Sequence, residues 1–166
     1  MVIRAAKPED SSQIFDLIKA LAEYEKLSHL VSGNPAELRE HLFGATRYAE
    51  VLLAECYGQA VGFALFFHNY STFLTKPGIY LEDIFVLPDY RQQGIGKALL
   101  TRVAQIAVER NCGRLEWSVL DWNTPAIGFY QRMNASILDE WKICRVTGED
   151  LVQLATSYGG SVVGRG

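Results

Sequence analysis

Residues 80–96 read YLEDIFVLPDYRQQGIG, and the parsing of this stretch decides the fold. Five of its first seven residues are apolar or aromatic, the composition of a buried strand. Glu82 and Asp83 nonetheless stand side by side in the middle. Acidic residues are depleted in strands, and neighbours on a strand point to opposite faces, so one solvent-facing side cannot hold both. Pro88 ends the strand and residues 89–96 turn the chain. A helix is then predicted to about Arg110, with Leu99, Leu100, Val103, Ile106 and Ala107 on its apolar face. Asn111 and Gly113 supply its stop, and residues 115–120 read as the next strand. A strand, helix and strand in this order close by a right-handed crossover and give a parallel pair.

Working outward, residues 2–6 are a short strand candidate. Asp10, with Gln13 three residues on, has the pattern of a capping box. Ile14, Leu17, Ile18 and Leu21 follow at helical spacing. Asn34-Pro35 is a second helix start, and Gly44 closes that short helix. Residues 48–56 and 60–70 are β-rich runs joined at Tyr57-Gly58-Gln59, a hairpin signal; residues 71–78 read as a loop containing Pro77-Gly78. Asn123-Thr124-Pro125 opens a short helix through Arg132. Residues 137–146 read as a last strand, 147–155 as a small closing helix, and 157–166 as a Gly/Ser-rich peripheral tail. The fold class is α/β in the mixed, α+β sense: one domain over residues 1–156, with about six strands flanked by helices.

The bulk numbers agree with that class. A chain of 166 residues favours one domain, and 49% hydrophobic with 21% charged residues is an ordinary globular composition. The net charge of −3 gives no electrostatic footprint for nucleic acid. Cys56, Cys112 and Cys144 are odd in number and far apart, matching neither a disulfide framework nor a metal pair. Reduced, mostly buried thiols and a cytoplasmic location are the expectation. The opening MVIRAAKPED has no apolar signal core, and no run reaches the length of a membrane span. His29, His41 and His68 have no metal-ligand spacing, so no metal is expected.

The turn RQQGIG lies between a strand and an amphipathic helix. Two glycines let backbone N–H groups approach an anion, and the helix N-terminus adds the positive end of its dipole. An ordinary turn with glycines for tightness explains the same residues equally well. The turn is not a Walker A loop, because Ala98 follows Gly96-Lys97, and Leu99 stands where a dinucleotide fingerprint needs its third glycine. A pyrophosphate on another carrier remains.

Arg91-Gln92-Gln93-Gly94-Ile95-Gly96 matches the Q/R-x-x-G-x-G/A acetyl-CoA motif of the GNAT N-acetyltransferases. The preceding strand, Asn123-Thr124-Pro125 and the Phe129-Tyr130 pair match as well, and the resemblance covers roughly residues 2–155. Within that superfamily the chain resembles most the diamine (spermidine/spermine) acetyltransferases, through Leu21-Ala22-Glu23-Tyr24-Glu25, Tyr80-Leu81-Glu82-Asp83, Asp89-Tyr90-Arg91 and Trp122-Asn123.

The resemblance implies a mostly antiparallel sheet with a splayed parallel pair in its centre. The strand before the motif carries a bulge there, and a bulge re-aims neighbouring side chains. The backbone of Ile84, Phe85 and Val86 would pair with the pantetheine arm of acetyl-CoA, as a strand added to an edge. Arg91, Gln92, Gln93, Gly94, Ile95, Gly96 and Lys97 would hold the pyrophosphate, with Lys97 either in contact with phosphate or simply solvated. Asn123, Thr124, Pro125, Ala126 and Tyr130 would flank the cofactor beyond it. The implied chemistry is attack of an amine on a thioester. An alkyl ammonium with a pKa near ~10.4 has no lone pair to attack with, so a carboxylate must take its proton. Glu82 is the candidate base, or else only an anchor or a solvated acid. Asp83 would bind a second ammonium or be structural. Tyr130 matches the family's general acid, which protonates the leaving thiolate, and the N–H of Ile84 would hold the oxyanion. Tyr24, Glu25 and Glu140 match substrate-binding positions. Met133-Asn134-Ala135 replaces the family's glycine-alanine pair, and residues 136–141 form a shorter segment than in the mammalian polyamine enzymes.

The expected function is acetyl-CoA-dependent N-acetylation of a small primary amine: a diamine, a polyamine or a lysine-like amino acid. Partners would be that cationic amine and a second copy of the chain in a homodimer, with no nucleic acid or membrane. A protein acetyltransferase, on lysine or an N-terminus, and a non-catalytic CoA-binding sensor are the competing readings.

Overall fold

Among the described residues five strands assemble in sequence order: short turns join the second, third and fourth, while helices connect the first to the second and the fourth to the fifth. The computed structural model describes residues 1–157, in two compact units, Met1–Ser118 and the chain from Val119 on. In the first unit β1 (Val2–Ala5), β2 (Glu50–Cys56), β3 (Gln59–Ser71), β4 (Lys76–Val86) and β5 (Leu115–Glu116) form one sheet in the order β1-β2-β3-β4-β5. All neighbours are antiparallel except β4 and β5, which are parallel. Tyr57 (φ 51°) and Gly58 (φ 78°) are both left-handed between β2 and β3, the backbone of a two-residue hairpin turn.

Helices cover the sheet. α1 (Ser11–Tyr24) and α2 (Pro35–Phe43) pack Ile14, Leu17, Leu21 and Leu42 on Val51, Leu53, Phe63 and Phe85. α3 (Ile95–Glu109) buries Leu99, Leu100, Val103, Ile106 and Ala107, the face expected from the sequence. The N-cap at Asn34 also holds, its side chain accepting from the Glu37 N–H at 2.9 Å.

The register of β3 against β4 explains the adjacent carboxylates. Leu65 lies opposite Asp83 and Phe66 opposite Leu81, which leaves Glu82 as an extra, unmatched residue. This is a β-bulge. Residues directly opposite share a face, so Asp83 and Phe85 share the α1 side with Leu65 and Phe63, while Leu81 and Ile84 share the other with Phe66 and Ala64. One inserted residue thus keeps Leu81, Phe85 and Val86 buried while Glu82 is exposed and Asp83 half-buried.

Pairing of β4 with β5 lasts only for Ile79 with Leu115 and Tyr80 with Glu116. From Leu81 on, no strand among the described residues pairs with that edge of β4. The expected strand over residues 115–120 is accordingly cut to Leu115–Glu116, because the bulge turns β4 away just where the ladder would continue. The expected strand over residues 137–146 is absent: Asp139-Glu140 interrupts it, and Ile137, Leu138, Trp141, Ile143 and Val146 are exposed. The sheet therefore has five strands among the described residues, with the parallel pair at its edge and not at its centre.

Three smaller expectations also change. Asp10 does not cap α1; its carboxylate accepts from the Lys7 N–H at 2.7 Å and pairs with Arg4, a charged partner that outcompetes a helix N–H. The loop expected over residues 71–78 shrinks because β4 starts at Lys76, where Tyr70 opposes Pro77 and Ser71 opposes Lys76. Asn111 (φ 54°) alone closes α3, with the Cys112 N–H donating to the Ala107 carbonyl at 2.8 Å, and the Gly113 N–H goes to Pro77.

The second unit contains α4 (Thr124–Arg132) and α5 (Gly148–Thr156). Asn134 (φ 64°) supplies the left-handed residue after α4, and the Ala135 N–H closes onto the Tyr130 carbonyl at 3.0 Å, so the departure at Met133-Asn134-Ala135 keeps its turn. The tail expected over residues 157–166 lies, from Tyr158 on, outside the described residues.

Gly94 and Gly96 differ in their need for glycine. Gly94 has φ 79° with nothing within 4 Å of an added Cβ, whereas a Cβ on Gly96 meets Val86 Cγ2 at an ordinary 3.9 Å. Gly94→Ala is expected to lower stability by about 1–2 kcal/mol, and Gly96→Ala to leave it unchanged or raise it by up to about 1 kcal/mol. Urea denaturation of the two variants beside the wild type checks this.

Candidate active site

The end of α1 faces the bulge. Lys26, at φ 60°, takes the left-handed position after the helix, and the Leu27 N–H returns to the Ala22 carbonyl at 2.8 Å. That leaves Tyr24 and Glu25 half-buried at the last turn. Burial raises the Glu25 carboxyl above the usual carboxylate range. Asp83 is pushed further, to about 6, first by burial and then by the negative charges of Glu82 and Glu25. Glu82 on β4 and Glu25 at the end of α1 therefore both act electrostatically on Asp83. None forms an ion pair with a Lys or Arg among the described residues.

Hydrogen-bond alternation assigns the open edge of β4. The Leu87 N–H donates to Val61 at 2.9 Å, which makes Gly62 and Val86 a non-hydrogen-bonded pair and Phe63 and Phe85 a hydrogen-bonded one. The backbone groups of Ile84 and Val86 then point away from β3, towards the unpaired edge, while those of Phe85 are held by β3. Of the three backbones expected to face a ligand, two are placed to do so. Gly62 permits this arrangement: an added Cβ would come within 2.8 Å of the Phe85 carbonyl. A glycine inside a strand is a sequence signal for close backbone approach, and it marks a position that motif reading passed over.

The turn that follows is built for donors. Gln92 (φ 60°) and Gly94 (φ 79°) are left-handed. Among the described residues the N–H groups of Gln92, Gln93, Gly94, Ile95, Gly96 and Lys97 donate to no backbone carbonyl; the first engaged is Ala98, to Gly94 at 2.9 Å. Such a row of unsatisfied donors at a helix N-terminus is an anion cradle. Gln92, Gln93, Gly94 and Lys97 are exposed there, and Ile95 is buried. Arg91 behaves differently: its Nε donates to the Val86 carbonyl at 2.9 Å, and its guanidinium lies 4.4 Å from the Tyr24 ring centroid and 5.3 Å from that of Phe85.

The remaining expected site residues belong to the second unit. Asn123 is buried as the N-cap of α4, its side chain accepting from the Ala126 N–H at 3.4 Å, and Thr124 and Pro125 open the helix. Tyr130 is buried in the last turn with its ring 5.4 Å from Phe129. Glu140 is exposed in the irregular stretch between α4 and α5. The cysteines are free, but only Cys56 and Cys112 are half-buried and Cys144 is exposed, which corrects the expectation of mostly buried thiols. No helix among the described residues is long and apolar enough to cross a membrane.

Because folding raises the Asp83 pKa, the contribution of this group to stability is full below its ordinary value of 3.8 and is lost as the pH rises through about 6. Asp83→Asn stays neutral throughout. Its melting temperature is expected to match the wild type near pH 4 and exceed it at pH 8; a difference independent of pH, followed by calorimetry, would contradict this.

The comparisons with known proteins agree with this geometry. The profile of the Acetyltransferase (GNAT) family matches residues 16–135. A thialysine N-epsilon-acetyltransferase of Bos taurus is 40% identical, over 93% of this chain and 97% of that protein. An L-ornithine N5-acetyltransferase of Arabidopsis thaliana is 35% identical, over 90% of this chain and 85% of that protein. An integron cassette protein of V. cholerae has the same fold, with a TM-score of 0.78 at 24% identity, over 93% of this chain and 97% of that one. The chain belongs to the GNAT family of acetyltransferases.

Proposed function

We propose that the protein transfers an acetyl group from acetyl-CoA to a primary amine of a small diamine, polyamine or lysine-like amino acid, by direct attack with both substrates bound. The observation that carries this reading is the group of three carboxylates, Glu25, Glu82 and Asp83, without a cationic partner among the described residues. Thialysine and ornithine, named for the relatives, each carry a terminal side-chain amine. Such a substrate, like a polyamine, brings the positive charge that this group lacks.

Acetyl-CoA supplies an activated thioester. The N–H groups of residues 92–97 would receive its diphosphate, and the Ile84 backbone and the Val86 N–H would hydrogen-bond its amide-bearing arm. Asn123 to Ala126 flank the cofactor. Tyr24, Asp83, Glu25 and Glu140 bind the ammonium groups. Glu82, exposed at the bulge, accepts the proton that frees the nitrogen lone pair, directly or through water. The N–H of Ile84 stabilises negative charge on the carbonyl oxygen. Tyr130 donates the proton to the departing thiolate, so the amine's proton and the thiol's proton balance across the reaction. The domain runs over residues 1–156. Exposed apolar side chains at Ile137, Leu138, Trp141, Ile143, Leu151, Val152 and Leu154 support a homodimer, and three free cysteines fit a cytoplasmic location.

Thiol release from acetyl-CoA with a panel of diamines, polyamines and lysine-like amino acids tests the reading. Glu82→Gln and Tyr130→Phe are each expected to lower kcat by about 10²-fold or more at pH 7, with CoA binding retained. Silence across the panel would defeat it. So would variants as fast as wild type, or transfer confined to peptide lysines or N-termini.

A further inference from the structure

Arg91 opens the anion turn in sequence, yet its side chain is engaged elsewhere. Its Nε donates to the Val86 carbonyl on the open edge of β4. The central carbon of its guanidinium lies 4.4 Å from the Tyr24 ring centroid and 5.3 Å from that of Phe85, and the two rings lie 6.3 Å apart at 47°. A half-buried Arg that meets three groups from two elements in this way is a clamp. Tyr24 is the last residue of α1, and Glu25 follows it directly. Phe85 lies two residues after Asp83 on the same face. The clamp therefore fixes the spacing between the two elements that bring the carboxylates together. Its guanidinium is engaged by those rings and that carbonyl, and it forms no ion pair with the carboxylates.

We infer that Arg91 is a positioning residue for the amine, acting through Tyr24, Phe85 and the Val86 carbonyl, and is not a ligand of the cofactor's phosphates. The inference rests on the amine acetyltransferase reading above. It also corrects the expectation that Arg91 belongs with residues 92–97 in holding pyrophosphate. A phosphate contact needs a charge, which lysine supplies. A clamp needs a broad group that donates to a carbonyl while lying against two rings at once, which the compact ammonium of lysine does not supply.

Arg91→Lys separates the two roles. With the full chain, the KM for the best amine of the panel is expected to rise about tenfold, the scale of a partly desolvated cation–π contact. The KM for acetyl-CoA and the thermal shift produced by CoA should stay within about twofold. In a Tyr24→Leu background the same substitution should have little further effect, whereas in Tyr24→Phe, which keeps the ring, the rise should persist. Loss of the CoA shift with an unchanged amine KM would make Arg91 a phosphate ligand and overturn the inference. Wild-type behaviour of Arg91→Lys, or additive effects with Tyr24→Leu, would overturn it too. If the wild type acetylates none of the amines, the functional reading falls. A urea double-mutant cycle of Arg91→Lys with Tyr24→Leu then still decides the clamp: coupling of about tenfold in the unfolding constant supports it, and additivity removes it.

Discussion

A strand buried on both faces tolerates no shift in phase, since a slip of one residue exchanges every side chain between faces. β4 contains such a shift by design at Glu82. Before the bulge Leu81 faces Phe66 in the α3-side core, and after it Phe85 faces Phe63 on the α1 side. In an unbulged strand Leu81 would join Asp83 and Phe85 on the α1 side, and Glu82 would take its place beside Ile84 in the opposite core. The same insertion ends the ladder with β5 after Tyr80 and leaves the Ile84 and Val86 backbones without a strand partner on that edge, where the Val86 carbonyl accepts from Arg91. Face parity, the open edge and the approach of the carboxylates to α1 thus have one cause.

This constraint also explains which parts of the fold were legible. The hairpin at Tyr57-Gly58, the helix face from Leu99 to Ala107 and the Asn34 cap are local: each depends on residues within a few positions, and each was readable. A bulge is not local. The apolar pattern of YLEDIFV is compatible with several phases, and only the partner strand decides which residue is extra. The lengths of β4 and β5 failed for the same reason. Asp10 failed because its carboxylate is taken by the Arg4 guanidinium at 2.7 Å, a pairing that joins β1 to the start of α1 and that a capping pattern does not contain.

The site divides likewise. Glu82 and Asp83 stood out as acids in an apolar run, and the glycine turn stood out by its spacing. Glu25 came from likeness to a family, because a solvated acid at a helix end looks the same in a sequence. Its elevated carboxyl reflects burial that only the turn at Lys26 creates. Arg91 was assigned to its sequence neighbours, whereas its contacts reach Tyr24, sixty-seven positions earlier by 91 − 24 = 67. Glu140 was read onto a strand that the chain does not form, since nothing among the described residues pairs with it.

Bringing Glu25 and Glu82 up to the half-buried Asp83 opposes stability, because burial and the neighbouring negative charges both disfavour its charged form. A fold selected only for stability would place a cation among them. The guanidinium of Arg91, which lies against Tyr24 at the same end of α1, is instead turned onto two aromatic rings and a carbonyl. Its fixed attachment keeps the cation from swinging into the acids, so the negative field survives for a ligand to neutralise. The clamp and the acid group are therefore two halves of one arrangement: the first holds the geometry while withholding its charge, and the second keeps its charge while contributing nothing to cohesion. On the proposed reading an external ammonium would relieve the repulsion that folding imposes on Asp83.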